Sequence, residues 1–388
     1  MSRIDALIAE HCPDGVEFKA VSEVALKSSN IKWSDSGEET YRYIDLSSVD
    51  RVTRRIGETA NIDSSTAPSR AQQIVRTGDV IFATTRPAQM RWAVIPAEYD
   101  GQVTSTGYCV LRPNTSIVLT NFLAHILGAD TFRQYIEANQ VAGNYPSIPD
   151  SRVRAYRIPV PPLEVQREIV RILDQFTQLE AELEAELEAR RRQYEYYRNL
   201  LVRKNRFASN EWMPLSTLAT IRTGSKPEVI GSTGEIPYIN AGTETSGFTT
   251  VSNARGGVVT IPSRGQGGAG HVGYQEADFW CGPLCYRVDS NSSASNNRFL
   301  YFFLRNIQEQ IVGLRKVGSI PAVNKSDLGA VLIPVVEINE QRRIVAILDK
   351  FDALANDLSI GLPAELAARR KQYEYYRDKL LTFEEASA

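Results

Sequence analysis

The sequence predicts an α+β chain: two globular domains of mixed α/β character, separated by a pair of long antiparallel coiled-coil helices and related by a pseudo-two-fold. Three observations predict it. The hexapeptide Gln193-Tyr194-Glu195-Tyr196-Tyr197-Arg198 recurs unchanged as Gln372-Tyr373-Glu374-Tyr375-Tyr376-Arg377. Each copy closes a stretch whose apolar residues step by three and four, the spacing of a coiled-coil seam. The segments ahead of these stretches alternate short β-branched or aromatic runs with glycine and proline turns.

The 388 residues allow two or three domains with sizeable cores. No apolar run is long enough for a membrane helix, and Met1-Ser2-Arg3-Ile4-Asp5 lacks an apolar signal region. Four cysteines (Cys12, Cys109, Cys281, Cys285) do not make a disulfide framework, so a reducing cytoplasm is expected. The net charge of -2 counts against bulk electrostatic attachment to nucleic acid, yet leaves room for a local basic surface.

The expected order is a first domain over 1–157, a central helix region over 158–205, a second domain over 206–335 and a C-terminal helix region over 336–388. Ile158-Pro159-Val160 matches Ile333-Pro334-Val335 at an offset of 175. The same offset pairs Gln166-Arg167 with Gln341-Arg342, Ile172-Leu173-Asp174 with Ile347-Leu348-Asp349, and Phe176 with Phe351. At the hexapeptide the offset has become 179, so the second copy has gained four residues near Ser359-Ile360-Gly361-Leu362-Pro363. Upstream, Phe18 through Ala25 resembles Trp212 through Ala219. Asn121-Phe122-Leu123 resembles Arg298-Phe299-Leu300, and Tyr145-Pro146-Ser147-Ile148 resembles Ile320-Pro321-Ala322-Val323.

In the first helix the stripe runs through Val165, Ile169, Ile172, Phe176, Leu179, Leu183 and Leu187, then Tyr194, Tyr197 and Leu201. In the second it runs through Ile344, Ile347, Phe351, Leu354 and Leu358, then Leu366, Tyr373, Tyr376 and Leu380. At roughly 1.5 kcal/mol or more per buried large side chain, each stripe needs a partner, and the other helix is the simplest one. A domain of 206–335 reaches about 30 to 40 Å, short of the roughly 57 Å that a return along a helix would need. An antiparallel pair is therefore expected, with a domain at either end. Gly361 and Pro363 predict a kink or loop. Ala181-Glu182-Leu183-Glu184 is repeated as Ala185-Glu186-Leu187-Glu188. Each unit adds about 6 Å of helix, so the repeat count is expected to set the spacing of whatever the domains bind. The plain alternative is a solvated acidic face with Glu186–Arg190 and Glu188–Arg192 pairs. Val170, Leu173, Tyr196 and Leu200, matched by Val345, Leu348, Tyr375 and Leu381, are apolar surface beyond one seam and suggest two equivalent partner contacts.

Each domain places a polar loop after an equivalent strand. Asp79-Val80-Ile81-Phe82-Ala83 leads into Thr84, Thr85, Arg86, Gln89 and Arg91. Gly257-Val258-Val259-Thr260-Ile261 leads into Ser263, Arg264, Gln266 and His271 through a glycine-rich loop. Arginine pairs bidentately with guanine and glutamine with adenine, and glycine lets backbone approach phosphate. Either loop alone also reads as ordinary surface. Together they place different letters at one scaffold position, as reading two unlike half-sites requires. Asn144, Tyr145 and Lys316 precede the matched exits from the domains, and Lys226 follows a turn suited to phosphate.

Catalytic signatures are missing. The three histidines, His11, His125 and His271, are far apart, and Cys281 and Cys285 have no second pair for zinc. There is no Gly-x-Ser-x-Gly elbow and no Asn-Pro-Pro-aromatic motif of an amino-methyltransferase. Pro13-Asp14 with Glu17-Phe18-Lys19 is too compressed for a nuclease strand–turn–strand.

Two variable domains alternating with two matched helices, each ending in Gln-Tyr-Glu-Tyr-Tyr-Arg, resemble the specificity subunit of a type I restriction-modification system over nearly the whole chain. The Ile-Pro-Val entries, the Gln-Arg…Ile-Leu-Asp…Phe core and the tyrosine motif carry the resemblance. The tandem Ala-Glu-Leu-Glu unit resembles the short central repeat of one subfamily. The resemblance implies two target recognition domains reading the halves of a bipartite site in double-stranded DNA. It implies helices that set the gap and dock two methyltransferase subunits, with restriction/translocase subunits completing the nuclease. It implies no cofactor in this chain, with S-adenosylmethionine in the methyltransferase subunits and ATP and magnesium in the motor subunits. The competing expectation is a structural adaptor that holds two protein partners without reading DNA.

Overall fold

The computed structural model describes residues 3–207, 210–291, 295–316, 320–356 and 361–386. The chain divides into two compact units, one of residues 1–182 with 366–388 and one of residues 183–365. Each unit therefore takes one domain, one part of the first long helix and one part of the second helical region.

The duplication is visible strand by strand. In the first unit Phe18–Ala20 pairs antiparallel with Arg157–Pro159, Phe18 opposite Pro159. In the second, Trp212–Pro214 pairs antiparallel with Leu332–Pro334, Trp212 opposite Pro334. Each unit also has a four-stranded sheet of the same order. In the first it runs Ala25–Leu26, Tyr108–Pro113, Val80–Ala83, Trp92–Val94. In the second it runs Ala219–Thr223, Cys285–Ser290, Val258–Pro262, Gly273–Gln275. The central strands Val80–Ala83 and Val258–Pro262 are buried along their whole length, which explains why their sequences are apolar but for Thr260, whose hydroxyl accepts from the Gln275 amide at 3.2 Å. The units differ beside this sheet. The first adds five strands around Val103–Ser105 and the second only three around Ile236–Ile239.

Leu163–Val202 is one unbroken helix of 40 residues. The second helical region is two helices, Ile338–Asn356 and Leu362–Leu380. The latter starts just after Gly361 and carries Pro363 in its first turn, where the missing N–H costs nothing. The remainder of the expected insertion, with Leu358, lies outside the described residues.

Within each unit the helical segments run antiparallel. In the first, Phe176 stacks on Tyr376 at 5.4 Å, and Glu180 pairs with Arg370. In the second, Phe351 stacks on Tyr197 at 5.1 Å, and Arg206 pairs with Glu340. The same phenylalanine of the repeat thus meets the last tyrosine of the other copy, once in each unit. Three positions expected to be spare surface are not. Leu173 and Leu348 are buried in the domain cores, because the first turns of each helical region pack on their own domain as well as on the second helical segment. Leu381, just past the end of Leu362–Leu380, is buried in the core of the first unit. Tyr196, Leu200 and Tyr375 are exposed, and so are the seam positions Leu179 and Leu354.

Candidate nucleic-acid interface

A buried glutamine ties each helix to its domain. Gln166 Oε1 accepts from Leu119 N at 2.9 Å, while its amide donates to the Ile117 and Pro161 carbonyls at 2.8 Å. Gln341 repeats this, accepting from Asn296 N and donating to Val336 O, each at 2.8 Å. Eight residues on, Asp174 accepts from Asn121 at 3.0 Å and from His125 at 2.9 Å. Burial alone would raise the Asp174 carboxyl, but those hydrogen bonds outweigh it and hold it below the usual range. Asp349, its equivalent, meets the Arg298 guanidinium at 2.6 Å.

On this frame the two candidate loops are clasped alike. Arg86 N donates to Pro146 O at 2.7 Å and Ile148 N to Thr84 O at 2.9 Å. In the second unit Gly265 N donates to Pro321 O at 3.1 Å and Val323 N to Ser263 O at 2.8 Å. Thr85 bridges Ser147, as Arg264 bridges Ala322. The exit hairpins repeat too, Val141 with Ser147 and Lys316 with Ala322. This register settles which letters are equivalent. Thr85 corresponds to Arg264 and Arg86 to Gly265, so the two arginines stand one residue apart on a common backbone.

In the first unit the structure gathers Thr85, Arg86, Gln89, Arg91 and Tyr145 around a cleft of about 460 Å³, with Arg70 added to its wall. Arg86 lies over the exposed Tyr145 ring at 5.2 Å, a cation–π contact that pre-orients the guanidinium. Asn144 is exposed beside it. Two predicted members brace the frame, Thr84 away from the cleft and Arg91 on its wall. Thr84 is buried and its hydroxyl donates to Gly107 O at 3.0 Å. Arg91 is half-buried and donates to Leu46 O. Arg70 escaped the sequence reading because it follows a Pro-Ser turn, far from the loop in the chain.

In the second unit Arg264 and Gln266 are exposed. The glycines let the loop lie against Ala241: a Cβ on Gly268 would come within 2.3 Å of the Ala241 carbonyl oxygen. His271 lines a smaller cleft with Thr243, Glu244 and Gln275. Burial, and then the neighbouring Arg305 guanidinium, push its imidazole below the usual range, so it is uncharged at neutral pH. Lys316 is an exposed ammonium 3.8 Å from Asp327. Lys226 is exposed beyond the Ala219–Thr223 strand, beside Trp280–Cys281. Among the described residues no three His, Cys, Asp or Glu side chains are placed to hold a metal, and no helix is long and apolar enough to cross a membrane.

Two unlike polar surfaces on matched helical supports define a duplicated recognition scaffold. The chain belongs to the type I restriction modification DNA specificity domain family, which it matches over residues 13–189 and 210–368. A putative type I restriction enzyme specificity subunit from Haemophilus influenzae is 30% identical over 285 residues, 68% of this chain and 72% of that one. The EcoR124I/EcoR124II specificity subunit of Escherichia coli is 32% identical over 258 residues, 58% of this chain and 63% of that one. A solved structure of a type I restriction-modification system, described for complex assembly and conformational transition, aligns with a TM-score of 0.65 at 25% identity. It covers 95% of this chain and 98% of its own. The Mycoplasma genitalium S subunit shares the fold, with a TM-score of 0.63 at 16% identity over 95% of this chain and 96% of its own.

Proposed function

We propose that this chain is the sequence-reading subunit of a type I restriction-modification complex, with each unit reading one half of a bipartite DNA site. Family membership supports DNA sequence recognition in such a complex. The observation that carries the two-half reading is the shared clasp: one backbone arrangement presents Thr85-Arg86 in one unit and Arg264-Gly265 in the other. Unlike side chains on one frame read unlike bases.

The role is recognition without catalysis in this chain. Two methyltransferase subunits supply S-adenosylmethionine, and restriction/translocase subunits supply ATP and magnesium. The exposed Tyr196 and Tyr375, equivalent in the two hexapeptides, favour two equivalent docking contacts. Residues 181–188 lie inside the unbroken helix, so removing Ala185 through Glu188 is expected to shorten the non-specific gap by one or two base pairs. An unchanged gap refutes the ruler.

Methylome sequencing with and without the gene tests the main reading. One bipartite methylated motif should vanish on deletion, and an unchanged pattern sinks the reading. The adaptor reading predicts that Arg86→Ala leaves both the complex and the modified motif unaltered.

A further inference from the structure

Among the described residues, three non-glycine positions have left-handed backbone: Arg54 at φ 59°, Arg86 at 51° and Met90 at 49°. All three belong to one constellation. Arg86 and Met90 bracket the short turn Pro87–Gln89, and the Arg54 guanidinium donates to the Met90 carbonyl. Left-handed backbone costs an ordinary residue about 1 kcal/mol or more, so two such residues four positions apart, Arg86 and Met90, persist only where other contacts hold them. Arg86 is held through Pro146. Met90 is held by its buried side chain, by its N–H to Pro87 O at 2.8 Å, and by Arg54.

Arg54 is itself well fixed. Its backbone N–H donates to Asp50 O at 3.1 Å, and its guanidinium lies over Trp92 at 5.2 Å, on the strand that leaves the loop. Burial, opposed by nearby Tyr373 and assisted by Arg133 and Arg377, brings its pKa down to about 10. It remains a cation at neutral pH and a charge-assisted donor.

We propose that Arg54 is the positioning residue of the first reading loop. It fixes the Met90 carbonyl, and with it the direction in which Arg86 and Gln89 face DNA, and makes no DNA contact of its own. The inference rests on the DNA-reading role of this unit.

The test uses the full chain assembled with its methyltransferase subunits. The duplexes carry the mapped motif intact, or with one or the other half scrambled. Arg54→Gln should lower discrimination at one half-site about tenfold, within the lower part of the roughly five- to 150-fold that one bidentate base contact supplies. Discrimination at the other half and affinity for random duplex should stay within about twofold, since Arg54 supplies no phosphate contact. Equal loss at both halves means general destabilisation and overturns the proposal. Arg86→Ala separates the two levels: if it lowers discrimination and Arg54→Gln does not, the positioning role alone fails. If neither does, the reading role of the loop fails with it. Should Arg54→Gln not assemble, Arg54→Lys decides. Lysine keeps the charge but not the fork that spans the carbonyl and the Trp92 face, so a loss of about threefold at the same half is expected, and an unchanged ratio overturns the proposal.

Discussion

Asp174 and Asp349 occupy the same place in the repeat, yet different partners hold them. In the first unit the carboxylate takes Asn121 and His125, and His125 passes on to Tyr373 Oη at 3.0 Å. In the second a single guanidinium, Arg298, takes Asp349 at 2.6 Å and Asp352 at 2.9 Å. The glutamines eight residues earlier do the same job in both units, and so do the Phe–Tyr stacks. The contrast separates two kinds of position. Groups that satisfy buried backbone polar atoms are repeated, because an orphaned N–H is costly whatever the domain reads. Groups at the domain surface are free to differ, and there the units diverge: five side strands against three, an arginine–tyrosine cleft against a glycine loop.

The largest effect expected from this division is therefore common to both units. Gln166→Leu and Gln341→Leu each strip a buried backbone N–H and at least one carbonyl of their partner. At about 1–3 kcal/mol for each orphaned group, each variant should lose about 3 kcal/mol of stability. Denaturant unfolding, read by hydrogen exchange in the affected unit, should show similar losses for the two. A large loss in one and none in the other breaks the equivalence of the frames.

Next come the residues proposed to read DNA, where the units should behave independently. Arg86→Ala and Arg264→Ala should each weaken discrimination by about 1–3 kcal/mol, five- to 150-fold, at one half-site only, and at opposite halves. Competition binding against half-scrambled duplexes measures it. Both variants affecting the same half would break the assignment of one half-site per unit.

The frame was largely legible in the sequence because it is duplicated. The offsets that align Ile158 with Ile333 and Phe18 with Trp212 also give the register of Phe18 on Pro159 and Trp212 on Pro334. The break before Leu362 was legible from Gly361 and Pro363. Other features were not. Leu173 and Leu348 read as spare surface because heptad logic supposes one partner helix, whereas these turns also face a domain. The side sheets are built from strands as short as two residues, too short to show a period of two. Arg54 carried no signal at all: its role depends on a left-handed backbone and on Met90, 36 residues away. Thr84 read as a DNA contact because its hydroxyl sits among the loop's polar residues, and only the fold shows that it points to Gly107.

The smallest effect expected lies in the two aspartates, and it separates the units by pH. The Asp174 carboxyl is held below its usual range, so its contribution is fully present above the ordinary carboxylate value near 4. That contribution disappears as the pH falls through the lower, folded value. Asp174→Asn should thus be destabilised at pH 7 by under about 1 kcal/mol, the scale of a half-exposed pair, and should approach wild type as the medium is acidified. Asp349→Asn should cost more at pH 7, about 1–2 kcal/mol, because it leaves the largely buried Arg298 guanidinium with Asp352 as its remaining strong partner. Unfolding midpoints of the two variants and wild type, followed from pH 7 to 3, give the answer. Equal losses at pH 7 would show that the two helix–domain contacts are energetically alike despite their different partners. An Asp174→Asn deficit that does not begin to shrink as the pH falls below about 4 would show that the carboxylate charge does not carry the first contact.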